Sequence, residues 1–170
     1  LGSRGPAFYG QQRIGRSGKS FVAWKFRTMS ANADANLAIY LLSNPAFQEE
    51  WRKDFKLRRD PRVTPFGRFL RKTSLDELPQ IWNVIRGEMS VVGPRPIVVE
   101  EIAKYGSAFD LYGRVRPGIT GLWQVSGRNN TTYSDRVRLD EYYVKNWSLW
   151  LDVHVLCKTL PAVWSANGAY

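Results

Sequence analysis

Apolar and polar positions follow two different periods along this chain, and the places where one gives way to the other divide it into segments. Between Ala7 and Met29 the strand-like runs AFYGQQRI and KSFVAWKF flank Gly15-Arg16-Ser17-Gly18. That arrangement predicts a β-hairpin whose two glycines supply positive φ in the turn. Two helices are expected between Ala31 and Phe55, broken at Ser43-Asn44-Pro45, because a residue before proline is driven out of the helical region. Leu37, Tyr40, Leu41 and Leu42 give the first of them a short apolar face, suited to scaffold packing or to a subunit contact in a homo-oligomer. A helix from about Pro65 to Lys72 turns Phe66, Phe69 and Leu70 inward and leaves Arg68, Arg71 and Lys72 facing solvent or headgroups.

The next segment, SLDELPQIWNVIRGEMSVVGPRP from Ser74 to Pro96, organises the rest. Leu75, Leu78, Trp82 and Ile85 recur at helical spacing and predict a buried stripe, with Asp76, Gln80 and Asn83 opposite. Ser74 and Glu77 have the form of a capping box, while Pro79 makes the helix entry irregular. VVGPRP then reads as an extended segment that holds Arg95 between two prolines. Ile97–Tyr105 reads as a helix with Glu100 and Glu101 on its surface, RPGITG as a turn, LWQV as a strand and Tyr133–Lys145 as a helix. Trp147–Trp164 is apolar nearly all round but for Asp152, His154 and Lys158, and is interrupted by Pro161. Charges and a proline argue against spanning a bilayer, and tryptophans at both ends suit a helix lying at a membrane interface. The fold class expected is α+β: one mostly helical domain with an N-terminal β-hairpin and interfacial amphipathic helices.

Charge sharpens this picture. The chain has 170 residues and a formal net charge of +10. Nine basic residues between Trp51 and Lys72 face only Asp54 and Asp60, which concentrates seven of those ten charges just before Asp76 and Glu77. With seven Trp, eight Tyr and eight Phe, such a chain suits anionic lipid. The same balance also permits a basic nucleic-acid-binding module, which would bind generic RNA with a steep salt dependence. The single Cys157 excludes an intramolecular disulfide and, lying in an apolar run, reads as a buried inert thiol. His154 is the only histidine, so acid–base or nucleophilic work falls to carboxylates. Gly18-Lys19-Ser20 resembles part of a phosphate-binding loop, but Arg13 stands where the earlier glycine is required and the context is a hairpin.

Asp76 and Glu77 in a first helical turn also fit a plain cap, complementing the helix dipole. The cations around them, with Arg86 and Arg95 following, favour a pocket for a highly anionic ligand in which carboxylates have a task, and phosphates with a divalent cation suit it. Prolines on both sides restrict the backbone at Arg95 and aim its guanidinium at little ordering cost. Lys25 and Arg27 alternate with Phe26 along the second strand and share one face. Asp140 fits an ion pair with Arg136 or another helix arginine.

SLDELPQIWNVIRGEMSVVGPRP, together with KFRTM at Lys25–Met29, RVTPFGRFLRKT before it and RPGITGLWQVSGR at Arg116–Arg128, resembles the bacterial sugar transferase family. These are monotopic phosphoglycosyl transferases. The insert between KFRTM and DPRVT, and the ending NWSLWLD…GAY, resemble the undecaprenyl-phosphate galactose or glucose phosphotransferases of exopolysaccharide and O-antigen synthesis. The resemblance covers about Gly5 to the C-terminus. It implies a catalytic domain over residues 1–170 without the family's membrane-inserting segment upstream, working at the cytoplasmic face of the bacterial inner membrane. The implied reaction takes a UDP-sugar and polyprenyl (undecaprenyl) phosphate to a polyprenyl diphosphate sugar and UMP. By resemblance Asp76 is the nucleophile that forms an aspartyl phospho-sugar, and Glu77 either ligates Mg²⁺ with it or orients it. Lys25, Arg27, Arg95, Arg128 and Asp140 are the implied substrate-binding residues. Membrane lipids, and not nucleic acid, are then the expected partners.

Overall fold

The computed structural model describes residues 5–54, 57, 60–127 and 132–164, and the expected mixture of strands and helices is present. Strands β1 (Phe8–Ile14) and β2 (Ser20–Phe26) pair antiparallel, with Phe8 opposite Phe26 and Ile14 opposite Ser20. In the connecting turn Gly18 has the expected positive φ of 70°, but the second left-handed residue is Ser17 and not Gly15. Helices α1 (Ala33–Ser43) and α2 (Pro45–Asp54) break at Asn44, as the proline requires. Helix α3 (Pro65–Lys72) begins with proline at its first turn, where no N–H is needed, and Thr64 caps it by accepting from the Gly67 N–H.

The carboxylate pair lies in a 3₁₀ turn, Leu75–Glu77, followed by α4 (Gln80–Ile85) and β3 (Ser90–Val92). Two short helices, α5 (Ile102–Tyr105) and α6 (Ala108–Tyr112), lead to β4 (Gly118–Thr120), which pairs parallel with β3. Then follow α7 (Leu122–Val125), α8 (Tyr133–Lys145) and α9 (Leu149–Trp164). The strand therefore lies in GIT, and LWQV, predicted as a strand, is a single helical turn. Backbone proximity explains the displacement: a side chain on Gly118 would collide with the backbone of Gly93, so the glycines let β4 pack against the Gly93–Pro94 segment.

Three small apolar clusters replace one large core. Phe21, Ala23 and Met89 close the underside of the hairpin; Ile14, Ile97, Tyr105 and Tyr112 join its far end to α5 and α6; Val92, Leu122, Tyr143 and Val155 hold α7, α8 and α9 to β3.

The facing of the central segment is the reverse of the sequence expectation. Leu75, Leu78, Trp82 and Ile85 are 36%, 47%, 55% and 70% exposed, while Gln80 and Asn83 are buried. Asn83 explains the inversion. Its side-chain amide donates to the Val22 carbonyl at 2.7 Å and to Glu88 at 2.7 Å, and its oxygen accepts from the Trp24 N–H at 3.2 Å. These bonds fasten α4 to the hairpin by its polar edge and turn the apolar stripe outward. Phe66 and Phe69, expected inside, are likewise exposed and only Leu70 is buried. Arg71, expected outside, folds back to donate to the Thr28 hydroxyl at 2.9 Å. Cys157 is exposed, not buried, because Val155 takes the inward position on α9. Glu101 is partly buried and paired with Arg136, so only Glu100 is a surface acid. No helix among the described residues is long and apolar enough to cross a membrane.

Candidate active site

Ser74 enters the 3₁₀ turn with a left-handed φ of 56° and makes no side-chain cap bond, so the capping box is not formed. Glu77 is engaged elsewhere. Its Oε1 accepts from Lys25 Nζ at 2.6 Å, and Arg95 approaches the same oxygen at 3.8 Å. Each element delivers one charge: β2 supplies Lys25, the 3₁₀ turn Glu77, and the segment between Pro94 and Pro96 supplies Arg95. Lys25 and Glu77 are each about one-fifth exposed, enough for a ligand to reach them.

The two carboxyls have opposite tendencies. Burial raises the pKa of Asp76 above the usual carboxylate range, and the Glu77 charge adds to that, against the pull of Lys25 and Arg71. Burial also works to raise Glu77, but Lys25, then Arg95, outweigh it and hold the carboxyl below its ordinary value. Glu77 is thus a fixed anion in an ion pair. Asp76 carries its charge less comfortably than an ordinary aspartate, which makes its carboxylate more basic than usual.

Arg13 and Gln80, neither named as a site residue from the sequence, line the same cleft as Lys25, Glu77 and Arg95. Arg13 donates to Gln11 at 2.6 Å, and burial together with the charge of Arg95 makes its guanidinium easier to deprotonate than usual. Like charges crowded around one glutamate signal an anion that belongs there. The period-2 pattern of β1 put Arg13 on a definite face, but only the hairpin's packing on Arg95 gives that face a purpose.

Arg27 and Asp140 are not among the residues lining this cleft. The guanidinium of Arg27 lies against Gly5, whose added side chain would meet it. Arg128 lies outside the described residues. Asp140 is buried and accepts from the Tyr105 hydroxyl at 2.7 Å, while Arg136 pairs with Glu101 at 3.3 Å, so the Asp140–Arg136 ion pair, one of the readings the sequence left open, is not formed. Burial, partly offset by the Tyr105 bond and by Arg136 and Arg95, raises Asp140 to a pKa of about 7.

Among the described residues no group of three or more His, Cys, Asp or Glu is placed to hold a metal. The carboxylates of Asp76 and Glu77 are oxygen donors of the kind Mg²⁺ takes, and that ion commonly completes its shell with substrate phosphates and water. The donor chemistry therefore fits Mg²⁺ shared with a bound diphosphate, not a cage made by protein alone. A larger cleft of about 300 Å³, lined by Arg16, Ser90, Arg116, Tyr143 and Trp147 among others, contains neither carboxylate.

Fold and site together describe a small α+β domain with a carboxylate dyad in a cationic cleft, bordered by exposed apolar side chains. The chain belongs to the bacterial sugar transferase family, whose model matches residues 1–166. It is 55% identical over 166 residues to the undecaprenyl-phosphate galactose phosphotransferase of Salmonella typhimurium, covering 98% of this chain and 35% of that protein. It is also 55% identical to the exopolysaccharide production protein ExoY of Rhizobium meliloti, covering 98% of this chain and 74% of that one. A UDP-glucose:undecaprenyl-phosphate glucose-1-phosphate transferase of Xanthomonas campestris pv. campestris is 38% identical, covering 100% of this chain and 34% of that protein. The chain thus spans about a third of the length of several of its curated relatives.

Proposed function

We propose that this domain transfers a sugar-1-phosphate from a UDP-sugar to undecaprenyl phosphate at a membrane surface, in exopolysaccharide or O-antigen assembly. The observation that carries this reading is the dyad itself, with Asp76 beside a Glu77 neutralised by Lys25 and Arg95. An Asp76 carboxylate oxygen attacks the β-phosphorus, the P–O bond to the α-phosphate breaks, and UMP leaves with that oxygen. A phosphate oxygen of the lipid then attacks the same phosphorus, and the Asp76 acyl-phosphate bond breaks, restoring the carboxylate. Lys25, Arg95 and Arg13 balance charge on the transferred group, while Glu77 fixes Lys25 in place. Mg²⁺, when bound by Asp76 and Glu77 with the diphosphate, neutralises phosphate charge and favours the leaving group.

The exposed apolar side chains support the membrane part of the reading. Phe66 and Phe69 on α3, and Leu78, Ile81, Trp82 and Ile85 around α4, stand outward next to the dyad. Arg68, Lys72 and Arg86 are exposed among them. Aromatic and aliphatic groups edged by cations are the composition that inserts at an anionic lipid surface, where undecaprenyl phosphate presents its headgroup.

A two-step displacement predicts that UDP-sugar alone releases UMP and leaves a phospho-sugar mass on the Asp76 peptide. Asp76→Asn is expected to abolish both the adduct and turnover while keeping the fold. An adduct on another residue, or near-normal turnover in Asp76→Asn, rejects the assignment. Chelation by EDTA is expected to stop turnover, and Mg²⁺ or Mn²⁺ to restore it; undiminished turnover in excess chelator removes the metal from the scheme.

A further inference from the structure

The cleft of about 300 Å³ has no part in the transfer chemistry above, and none of the residues lining it lines the dyad cleft. Arg16 and Arg116 are its charged side chains among the described residues. Neither guanidinium has an ion-pair or hydrogen-bond partner there. Two unmatched cations on the wall of one cavity raise its potential and concentrate anions in it. Both stand on fixed backbone. Arg16 lies in the hairpin turn, where the next residue, Ser17, donates its N–H to the Gly113 carbonyl at 2.8 Å and pins the turn to the end of α6. Arg116 precedes the buried Pro117, which disfavours helical backbone before it and whose carbonyl accepts from the Ser90 N–H at 2.8 Å.

The aromatic part of the wall is held as firmly. One oxygen of the Asp152 carboxylate accepts from the Tyr143 hydroxyl at 2.7 Å and the other from Trp147 Nε1 at 3.2 Å. Engaged there, Asp152 pairs with neither arginine. Ser90 adds a half-buried hydroxyl to the lining.

We propose that this cleft is a second anion site of the domain, separate from the dyad, and that it takes a phosphate ester. The donor set defines the chemistry. A neutral ligand leaves both cations unbalanced, and a lone carboxylate matches one of them. A phosphate monoester carries roughly two charges and three acceptor oxygens, enough for two guanidinium forks and the Ser90 hydroxyl. The ester substituent then meets Tyr143, Trp147 and Val92, which favour an apolar or aromatic group. The cavity volume is at the low end of the range for small-molecule pockets and admits one such group. Two sources present this chemistry. One is a phosphate ester free in solution; the other is a lipid phosphate headgroup, to which Leu149 and Trp150, exposed just beyond Trp147, offer apolar surface.

The test is calorimetry on the detergent-solubilised full-length protein and its Arg16→Gln, Arg116→Gln and Arg116→Lys variants, with melting temperature recorded beside each. Both arginines are exposed, so the melting temperature is expected to stay near that of the parent. Phenyl phosphate probes the free ester and short-chain phosphatidic acid the headgroup. Each Gln substitution is expected to weaken binding about tenfold, the worth of one charge-assisted hydrogen bond. Arg116→Lys is expected to weaken it too, because it keeps the charge and loses the fork, whereas unspecific attraction to a cation would be unmoved. Weakening for phenyl phosphate alone assigns the site to a free ester; weakening for phosphatidic acid, which then binds more tightly than phenyl phosphate, assigns it to a headgroup. Arg95→Gln reports on the dyad cleft. Binding that falls only in Arg95→Gln, or that Arg116→Lys leaves at the parent's strength, overturns the second site, as does failure of the parent to bind either probe. The transferase reading is independent of these outcomes and is decided by the Asp76 adduct.

Discussion

Asp76 and Glu77 are neighbours in one 3₁₀ turn and yet sit in opposite fields, because only Glu77 reaches Lys25. A carboxylate whose charge is already matched is a poor nucleophile, whereas one that burial makes uncomfortable gains by bonding to phosphorus. Under the proposed transfer, this asymmetry suits Asp76 to attack and Glu77 to hold Lys25 in place. Asp140 carries the clearest pH signature. Its pKa of about 7 in the folded chain stands above the unfolded value of roughly 3.9, so the folded state holds a proton that the unfolded state has lost between those limits. The associated stability is complete below about pH 4 and is lost as pH rises through about 7. Asp140→Asn, which cannot titrate, is expected to flatten the fall of melting temperature across that window. A thermal melt series from pH 4 to 8 on both proteins measures the difference; parallel curves would show that Asp140 ionises normally.

At the scale of elements, much was legible, but the facings of α3 and α4 came out inverted. The hairpin, the break at Asn44, the start of α3 at Pro65 and the run of α8 all follow from local rules, because a turn, a proline or a cap decides them within a few residues. The facing of α4 does not. Helical periodicity shows that Leu78, Trp82 and Ile85 share a side, but a period cannot say whether that side meets protein or something else. Asn83 decides it through partners 59 and 61 residues away in sequence, which no local pattern exposes. The place of Arg13 and Gln80 in the site was hidden for the same reason: it exists only once the hairpin lies over the dyad. LWQV was misread because four residues with strand-like composition carry too little period to separate a strand from one helical turn. If Asn83 is the fastener, Asn83→Ala should strand the Trp24 N–H and the Val22 carbonyl and lower stability by roughly 3 kcal/mol, read by urea denaturation. A loss below about 1 kcal/mol would mean that α4 is held chiefly by Val84 and Met89.

Across the whole molecule the usual distribution is partly turned inside out. Asp60 with Arg62, Gln80, Asn83 and Asp140 are buried, while Phe66, Phe69, Ile81, Trp82 and Ile85 are exposed beside the carboxylates. Isolated surface apolar residues need no explanation, but a group of them on adjoining elements does. Helix α9 repeats the pattern: Leu149, Trp150, Val153, Leu156 and Leu160 look outward and Val155 inward. If lipid covers the face beside the dyad, Trp82 sits in the acyl–headgroup boundary and its fluorescence must respond to the membrane itself. The expected result is quenching of the protein's tryptophan emission by brominated lipids in anionic vesicles, reduced in Trp82→Phe. Attraction of roughly 1 kcal/mol for each basic residue near the surface, with Arg68, Lys72 and Arg86 in place, should make flotation with such vesicles weaken in high salt. Because Trp82 is more than half exposed, its replacement should leave the melting temperature nearly unchanged, which separates lost insertion from lost folding. Quenching that is the same in Trp82→Phe, with flotation intact, would assign membrane contact to α9 and Trp150 instead; no flotation at any salt concentration would remove the membrane from the mechanism.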